Sequence, residues 1–290
     1  MFSRKKIIVA LSKKRIKALS IDPKNSSEVI IDSQWTPETL TIQLKKIMET
    51  TGENSFVFLF HDDLCYPAVI DVTDDEKNDS QKILIKAQEK IPEKIEETLW
   101  TFNEIFSYID DHSKKISFIQ VLTLSANFTA VIQQALKTLS LNIEVATTPS
   151  MLLADLLKTE KEPQIIICDY DGILLLLVYK GLVFSALTFP PKTMIGAEQI
   201  NEFSTYSSEF LQIEPKTVIL INNLETIDQQ SLTTEKYQLK SMSLSIESQF
   251  ASVIGSSNSQ LTALKISSGT EGKKINKKTI ALLIFFFSLF

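Results

Sequence analysis

Two short polar turns carry the residues of this chain that are best suited to phosphate chemistry. The first turn, Ser12-Lys13-Lys14-Arg15, offers cations, of which Lys13 could attract a phosphate. The second turn contains Asp169, Asp171 and Gly172. A phosphate site needs glycines that let backbone N–H groups approach, and carboxylates that organise Mg²⁺. Asp169 and Asp171 therefore suggest a magnesium site, although a plain polar hairpin turn is the favoured interpretation.

Each turn joins two apolar segments that are predicted to be strands. Residues 7–12 and 16–21 flank the first turn, and residues 164–168 and 173–179 flank the second. Residues 182–187 continue the second pair into a three-stranded meander. Because the strand-turn-strand pattern opens both halves of the chain, the sequence predicts a duplicated architecture.

The remaining sequence alternates between predicted strands and helices. Thr36 and Pro37 are typical of a helix start and predict a helix over 35–51, and Asn127 is predicted to cap a helix over 127–140. The other predicted strands cover residues 29–33, 56–60, 66–72, 98–109, 118–124, 142–146 and 218–221. The other predicted helices cover residues 83–91, 149–157, 248–254 and 260–264. The charged segment 158–163, which ends in proline, predicts a linker between two lobes.

Composition excludes several classes of function. The net charge of −5 argues against general nucleic-acid binding. Cys65 and Cys168 each lie in an apolar stretch and are predicted to be core residues of a cytoplasmic protein. His61-Asp62-Asp63 has side chains that bind metals, but no second His or Cys stands at ligand spacing, which favours a turn after a buried strand. No metal site and no catalytic residue are predicted.

The C-terminal residues predict contact with a membrane. Residues 279–290 read TIALLIFFFSLF and follow the basic linker 267–278, which contains four lysines. A helix of this length reaches only about 18 Å, whereas a span needs about 20 residues. The segment is predicted to start a transmembrane helix in a truncated chain, or to enter one leaflet; a buried terminal element is the alternative. The lysines would then lie on the cytoplasmic face of the inner membrane.

Residues 91–97 read IPEKIEE and are followed by a predicted strand. Together they resemble a segment of the type IV pilus assembly protein PilM family. Residues 122–157 resemble the stretch that joins the two lobes of that family, and Asp169 resembles the start of its second phosphate loop. The resemblance implies a mixed α/β protein with an actin-like ATPase fold.

The same resemblance implies how the chain is divided. The first actin-like lobe would cover residues 1–157, with a small α+β subdomain inserted at about 76–118. The second lobe would cover residues 164–266, before the linker and the apolar tail.

The resemblance also implies a nucleotide site, which this sequence carries in degenerate form. Where the family pattern has Gly followed by Ser or Thr, this chain has Asp171 and then apolar residues. Asn222 and Asn223 stand where the pattern has adjacent glycines. Weak binding of ATP and Mg²⁺ at Lys13, Asp169, Asp171 and Gly172 is therefore left open, and hydrolysis is not expected.

The partners implied by the resemblance are proteins of a pilus or secretion platform. Ile275-Asn276 resembles the motif that precedes the membrane helix of PilN, and the secretion protein GspL likewise joins an actin-like domain to a membrane helix. The chain would thus be a membrane-tethered scaffold that binds PilN-like and PilO-like proteins, or itself. Its tail would dock in cis or on a neighbouring copy, in an apolar groove near Leu99, Trp100 and Phe102.

Two enzyme classes remain as alternatives. A membrane-associated actin-like ATPase, similar to the filament-forming protein FtsA, would use the same fold and a C-terminal membrane segment. A sugar-kinase-like enzyme is disfavoured because no phosphate loop is intact. The sequence does not distinguish which pilus or secretion system is served, or the oligomeric state.

Overall fold

Three β-sheets and the helices around them make up the described part of the chain. The computed structural model describes residues 6–21, 27–95, 98–211, 214–222, 227–234, 237–254 and 264–266. Its strands are β1 (Lys6–Leu11), β2 (Arg15–Ile21), β3 (Ser27–Gln34), β4 (Ser55–Phe60), β5 (Cys65–Thr73), β6 (Trp100–Ile109), β7 (Lys115–Leu124), β8 (Asn142–Thr147), β9 (Gln164–Asp169), β10 (Ile173–Tyr179), β11 (Leu182–Phe189), β12 (Thr217–Ile221), β13 (Gln238–Met242) and β14 (Leu264–Ile266). Its helices are α1 (Pro37–Thr51), α2 (Ser80–Gln88), α3 (Ala126–Leu139), α4 (Pro149–Leu156), α5 (Ala197–Leu211), α6 (Gln229–Thr234) and α7 (Ile246–Ile254).

The first and second sheets share one topology. In the first sheet, of order β14-β8-β4-β1-β2-β3, the strands β1 to β3 form an antiparallel meander, and β4 and β8 extend it in parallel from β1. In the second sheet, of order β11-β10-β9-β12-β13, the strands β9 to β11 form the meander, and β12 and β13 extend it in parallel. The predicted duplication, with a hairpin opening each half, is therefore confirmed.

Apolar runs explain why the central strands of the second sheet are buried. Residues 165–167 and 174–177 are each at most 1% exposed, so both faces of β9 and β10 are covered. Ile165 and Leu175 pack with Ile200 of α5 and Leu232 of α6 on one face. Alternate residues of the same strands face the first sheet. Continuous apolar sequence is typical of strands that are buried on both faces.

One apolar core joins the first sheet to the second, and α4 lies within it. Residues 149–154 of this helix are all buried and contact the cores contributed by both sheets. The hydroxyl of Thr148 accepts a hydrogen bond from the Met151 N–H at 3.3 Å, which caps the helix. The Asp62 carboxylate accepts one from the Ser150 N–H at 3.2 Å, so the end of β4 is attached to the start of α4.

The helix starts show one correct and one wrong prediction. Helix α1 begins at Pro37 after the cap residue Thr36, as predicted. Helix α3 begins at Ala126 after Ser125, so Asn127 is not its cap. The reason is a distant partner, because the carboxylate of Glu93 accepts a hydrogen bond from the Ala126 N–H and supplies the anion that a helix start favours.

The third sheet, of order β5-β7-β6, is inserted between β4 and β8 and is covered on one face by α2. The predicted insertion at about 76–118 therefore covers only part of this sheet, whose strands lie between Cys65 and Leu124. Gln120 of β7 fastens the sheet to β11. Its amide donates to the Ala68 carbonyl at 3.0 Å and its oxygen accepts from the Val183 N–H at 2.7 Å. This residue is fully buried.

Several elements escaped prediction. Helices α5 and α6 and strand β13 were not predicted. The helix predicted at 260–264 is wrong at its end, because Leu264–Ile266 forms strand β14 and pairs antiparallel with β8. This pairing also places β14 in the first sheet, although the predicted second lobe, 164–266, included it.

The linker 267–278 and the tail 279–290 lie outside the described residues. Asn223 and Leu224, which follow β12 in the sequence, lie outside them as well. Among the helices that are described, none combines the length and apolar character that crossing a bilayer requires.

Candidate functional site

The turn between β1 and β2 uses its polar groups to stabilise itself. The Ser12 N–H donates to the Arg15 carbonyl at 2.9 Å, and the Arg15 N–H donates to the Ser12 hydroxyl at 3.2 Å. The indole of Trp35 donates to the Ser12 carbonyl at 2.8 Å. Lys13, the predicted phosphate ligand, lies exposed at the tip of this turn. The N–H groups of Ser12 and Arg15, two of the four in this turn, are thus already bonded within it.

The geometry of the turn between β9 and β10 explains why a glycine stands at position 172. The Tyr170 N–H donates to the Gly172 carbonyl at 2.8 Å, and Asp171 has a φ of 55° and Gly172 a φ of 138°. A Cβ atom on Gly172 would lie 2.8 Å from the Phe189 carbonyl oxygen of β11. The glycine therefore permits a close approach of neighbouring strands, which is a requirement of the sheet and not of a ligand.

The two turns face each other across a cleft of about 320 Å³. Its lining includes Asp169, Tyr170 and Asp171 from the second turn, Ser12, Arg15 and Lys17 from the first hairpin, His61, Asn222, and residues 244–247. Asp169, which is exposed, and Asp171 are therefore brought to the cleft, and Gly172 adjoins it. Lys13 is not among the lining residues.

Charged side chains of the protein span this cleft. Arg15 binds Asp32 of β3 through two bonds of 2.6 and 2.7 Å and reaches Asp171 at 3.4 Å. The hydrogen bonds of this guanidinium lower the pKa of Asp32. Lys17 of β2 binds Glu247 of α7 at 2.9 Å. Arg15 and Lys17 are thus both paired with carboxylates around the cleft.

His61, which follows β4, adds a buried contact between the two halves. It is 5% exposed, and its Nε2 lies 2.8 Å from the Tyr170 carbonyl oxygen while its Nδ1 lies 2.9 Å from the Asp63 carboxylate. Burial alone would lower the pKa of His61, but the hydrogen bond and charge of Asp63, with the charge of Asp62, outweigh it and raise the pKa. The Asp63 N–H also donates to Nδ1 at 3.3 Å, and Nε2 can donate to the Tyr170 carbonyl.

The fit of this cleft to Mg²⁺ and a nucleotide is poor. Within the described residues, no three His, Cys, Asp or Glu side chains are placed to hold a metal ion together. Asp169 and Asp171 offer two carboxylates, but Asp171 is engaged by Arg15. Asn222 bonds both the N–H and the carbonyl of Leu244 at 2.9 Å, so its amide is used as well.

Sequence reasoning missed most of the cleft residues. Arg15 belongs to the cationic turn that was noticed, but its partners lie 17 and 156 positions away. Lys17 and Glu247 are 230 positions apart and share no motif. His61 was interpreted as part of a turn, and its position directly after a buried strand was the available signal.

The residues predicted to form a partner groove do not share one face. Trp100 and Phe102 of β6 stack with ring centroids 5.8 Å apart and pack partly buried on the core between the third sheet and α2. Leu99, which precedes the strand, packs instead on the core shared by the two large sheets. Ile275 and Asn276 lie outside the described residues.

The IPEKIEE segment joins this region to the rest of the first half. Gln88 of α2 donates to the carbonyls of Ile91 and Glu93 at 3.1 and 2.8 Å and accepts from the Ile95 N–H at 3.0 Å. Glu93 accepts from the hydroxyl of Tyr66 in β5 at 2.9 Å and from the start of α3. Residues 96–97 of the segment lie outside the described part.

Comparison with known proteins shows which fold this is. Neither the models of protein families nor the curated proteins contain a match. Among solved structures, the chain is similar to the cytoplasmic domain of EpsL, an inner membrane component of the type II secretion system of Vibrio cholerae. The TM-score is 0.56 at 12% identity, over 89% of this chain and 98% of that one.

Two further structures lead to the same fold. The PilM–PilN type IV pilus biogenesis complex matches with a TM-score of 0.55 at 13% identity, over 84% of this chain and 89% of that one. A protein of unknown function from Bacteroides thetaiotaomicron, described as having an actin-like ATPase fold, matches with a TM-score of 0.53 at 11% identity, over 87% and 96%. The chain therefore has the actin-like ATPase fold, as the resemblance implied.

The glycine of the second turn provides a test of its structural role. Gly172→Ala should lower the free energy of unfolding by about 2–4 kcal/mol, because the new methyl group would meet a backbone oxygen at a strained φ. Gly52→Ala is the matched control, since Gly52 has a φ of 70° and no atom within 4 Å of the added Cβ. It should cost about 1 kcal/mol. Urea unfolding of both variants measures the difference, and equal costs would contradict the steric explanation.

Proposed function

We propose that this chain is a scaffold of an inner-membrane assembly platform of the type IV pilus or type II secretion kind. It acts by binding partner proteins and not by turnover. The observation that carries the proposal is the cleft between the two hairpin turns, where the Ser12 and Arg15 N–H groups bond within the first turn and Arg15 and Lys17 pair with Asp171 and Glu247. The likeness to EpsL and to the PilM–PilN complex supports the class of platform.

Partner binding is proposed at the exposed side of the Trp100–Phe102 pair, and Leu99, which packs on the other core, is left out of the site. The occupant is the Ile275-Asn276 segment, in cis or from a neighbouring copy, or the equivalent segment of a PilN-like protein. Strand β14 ends at Ile266, and Ile275 lies nine positions further along the chain. An extended chain of that length spans about 30 Å, which is longer than a strand of the first sheet and leaves docking in cis open.

The membrane is proposed as the second partner. Residues 279–290 would form a single C-terminal anchor, and the lysines of 267–278 would face the anionic lipids of the cytoplasmic leaflet. The soluble part then lies on the cytoplasmic face of the inner membrane, where it meets PilN-like and PilO-like proteins or further copies of itself.

One observation favours a second candidate, a membrane-associated actin-like ATPase. Arg15, Lys17, Asp169 and Asp171 line the same cleft, so cations and carboxylates are present where the fold can hold a nucleotide. The scaffold remains the stronger candidate. A nucleotide would have to break the Arg15–Asp171 and Lys17–Glu247 ion pairs, and the N–H groups of Ser12 and Arg15 are already used in bonds within the turn.

Titration with a fluorescent ATP analogue separates the two candidates. The intact chain in detergent should show no saturable, Mg²⁺-dependent binding in the micromolar range and no phosphate release above a blank without protein. The same titration of Asp171→Ala, which removes the Arg15–Asp171 contact and leaves Arg15 bound to Asp32, serves as the control for a cleft without that contact. Tight Mg²⁺-dependent binding by the wild type, together with hydrolysis, would establish the ATPase instead.

Intrinsic fluorescence tests the partner site, because Trp100 is one of only two tryptophans and the other, Trp35, is buried. The protein used to bind the peptide is the full chain carrying Ile275→Asp and Asn276→Ala. These substitutions keep its own tail from occupying the proposed site. A synthetic peptide of residues 270–279 should change the emission of Trp100 saturably, and the doubly substituted peptide should not. The proposed site is wrong if both peptides behave alike.

Flotation with anionic lipid vesicles tests the anchor. The intact chain should float with the vesicles, and the chain that lacks residues 279–290 should stay in the dense fraction, because the remaining lysines alone bind reversibly. A chain in which Gly and Ser replace these residues controls for length. Continued flotation of both altered chains in physiological salt would place the membrane contact elsewhere.

A further inference from the structure

We propose that the cleft of this actin-like fold is a latch that the protein closes with its own side chains, so that its two halves stay together without a ligand. The latch consists of three contacts: Arg15 with Asp171, Lys17 with Glu247, and His61 with the Tyr170 carbonyl. The proposal does not depend on the pilus or secretion partners.

The first contact reaches from hairpin to hairpin. Arg15 stands at the start of β2, and Asp171 is in the turn between β9 and β10, so their 3.4 Å contact joins the opening hairpins of the two large sheets. Asp32 holds the guanidinium by two shorter bonds. Bidentate binding orients the planar guanidinium, which leaves the Nη1 atom directed at Asp171.

The second contact ties the first hairpin to the returning helix. Helix α7 follows β13 of the second sheet and precedes β14 of the first. Its Glu247 is 14% exposed and binds Lys17 at 2.9 Å, which makes this the least exposed ion pair across the cleft. Partial burial reduces screening by salt and makes loss of one partner costly.

The third contact lies at the floor of the cleft. The rings of His61 and Tyr170 are nearly parallel, with centroids 6.2 Å apart and an interplanar angle of 13°. The backbone N–H of His61 donates to the Leu11 carbonyl at 2.7 Å, so the residue is fixed to the first hairpin as well. His61 therefore bonds to the end of β1 through its backbone and to the second turn through its ring.

These contacts have a consequence for the motion of the fold. Where a bound nucleotide supplies the charges that bridge two lobes, closure depends on the ligand. Here the chain supplies both signs of charge, and the apolar core around α4 is continuous between the sheets. Closure is then the resting state of the protein, and opening requires that the three contacts break together.

Hydrogen exchange on the full chain tests the latch, with the backbone amides of residues 59–62 and 168–173 as reporters. Lys17→Glu and Glu247→Lys should each raise exchange at these amides about fivefold or more, because each leaves like charges facing each other. The double variant, Lys17→Glu with Glu247→Lys, restores opposite charges and should return exchange to within about twofold of the wild type. Lys45→Glu, which breaks the exposed pair with Glu49 on α1, is the matched control and should leave the reporters unchanged.

A measurement on the wild type alone covers the case in which a single variant fails to fold. Addition of Mg²⁺-ATP should leave exchange at both reporter segments unchanged, and high salt should raise it by weakening the ion pairs. The latch is refuted if Mg²⁺-ATP slows exchange at both segments, if salt has no effect, or if the single charge reversals exchange like the wild type.

Discussion

The placement of α4 between the two large sheets is the constraint on which the other features depend. A helix whose first six residues are buried needs partners for its unpaired N–H groups, since water does not reach them. Thr148 supplies one partner and the carboxylate of Asp62 another. Burial raises the pKa of Asp62, although its bonds with Ser150 and the charge of His61 oppose this. Since Asp62 follows His61 directly, the interaction that starts α4 also fixes the residue at the floor of the cleft.

The sequence predicts the parts of the fold that local chemistry determines. The hairpins around residues 12–15 and 169–172 are apolar runs broken by polar turns, and the structure contains both. The elements with few apolar residues are harder to predict from the sequence. Strand β13, with the sequence QLKSM and four exposed residues among five, is a strand only because β12 lies beside it. Helix α5 contains many Ser, Thr and Glu residues, which are unremarkable in a loop.

The site is less predictable than the fold because its contacts are non-local. The composition of the second turn suggested a magnesium site, yet the geometry assigns Gly172 to a close approach with Phe189, 17 positions later. Leu99 and Trp100 are neighbours in sequence but pack on different cores, so a groove inferred from an aromatic cluster cannot include both on one surface. Asn127 and Ser125 differ little as caps, and Glu93, whose carboxylate binds the first N–H of the helix, is more than thirty positions away.

This chain shares its fold with structures to which it is only 11–13% identical in sequence, and the two hairpin turns show how that is possible. The topology alone brings two hairpin turns to the mouth of one cleft, because each meander begins at the same position in its sheet. What occupies the cleft is then decided by a few residues that the sheets do not constrain. In this chain those residues are Arg15, Lys17, Asp171 and Glu247, and they satisfy one another. The latch that we propose would keep the cleft closed without a ligand and hold the outer surfaces in a constant arrangement, as the proposed scaffold requires.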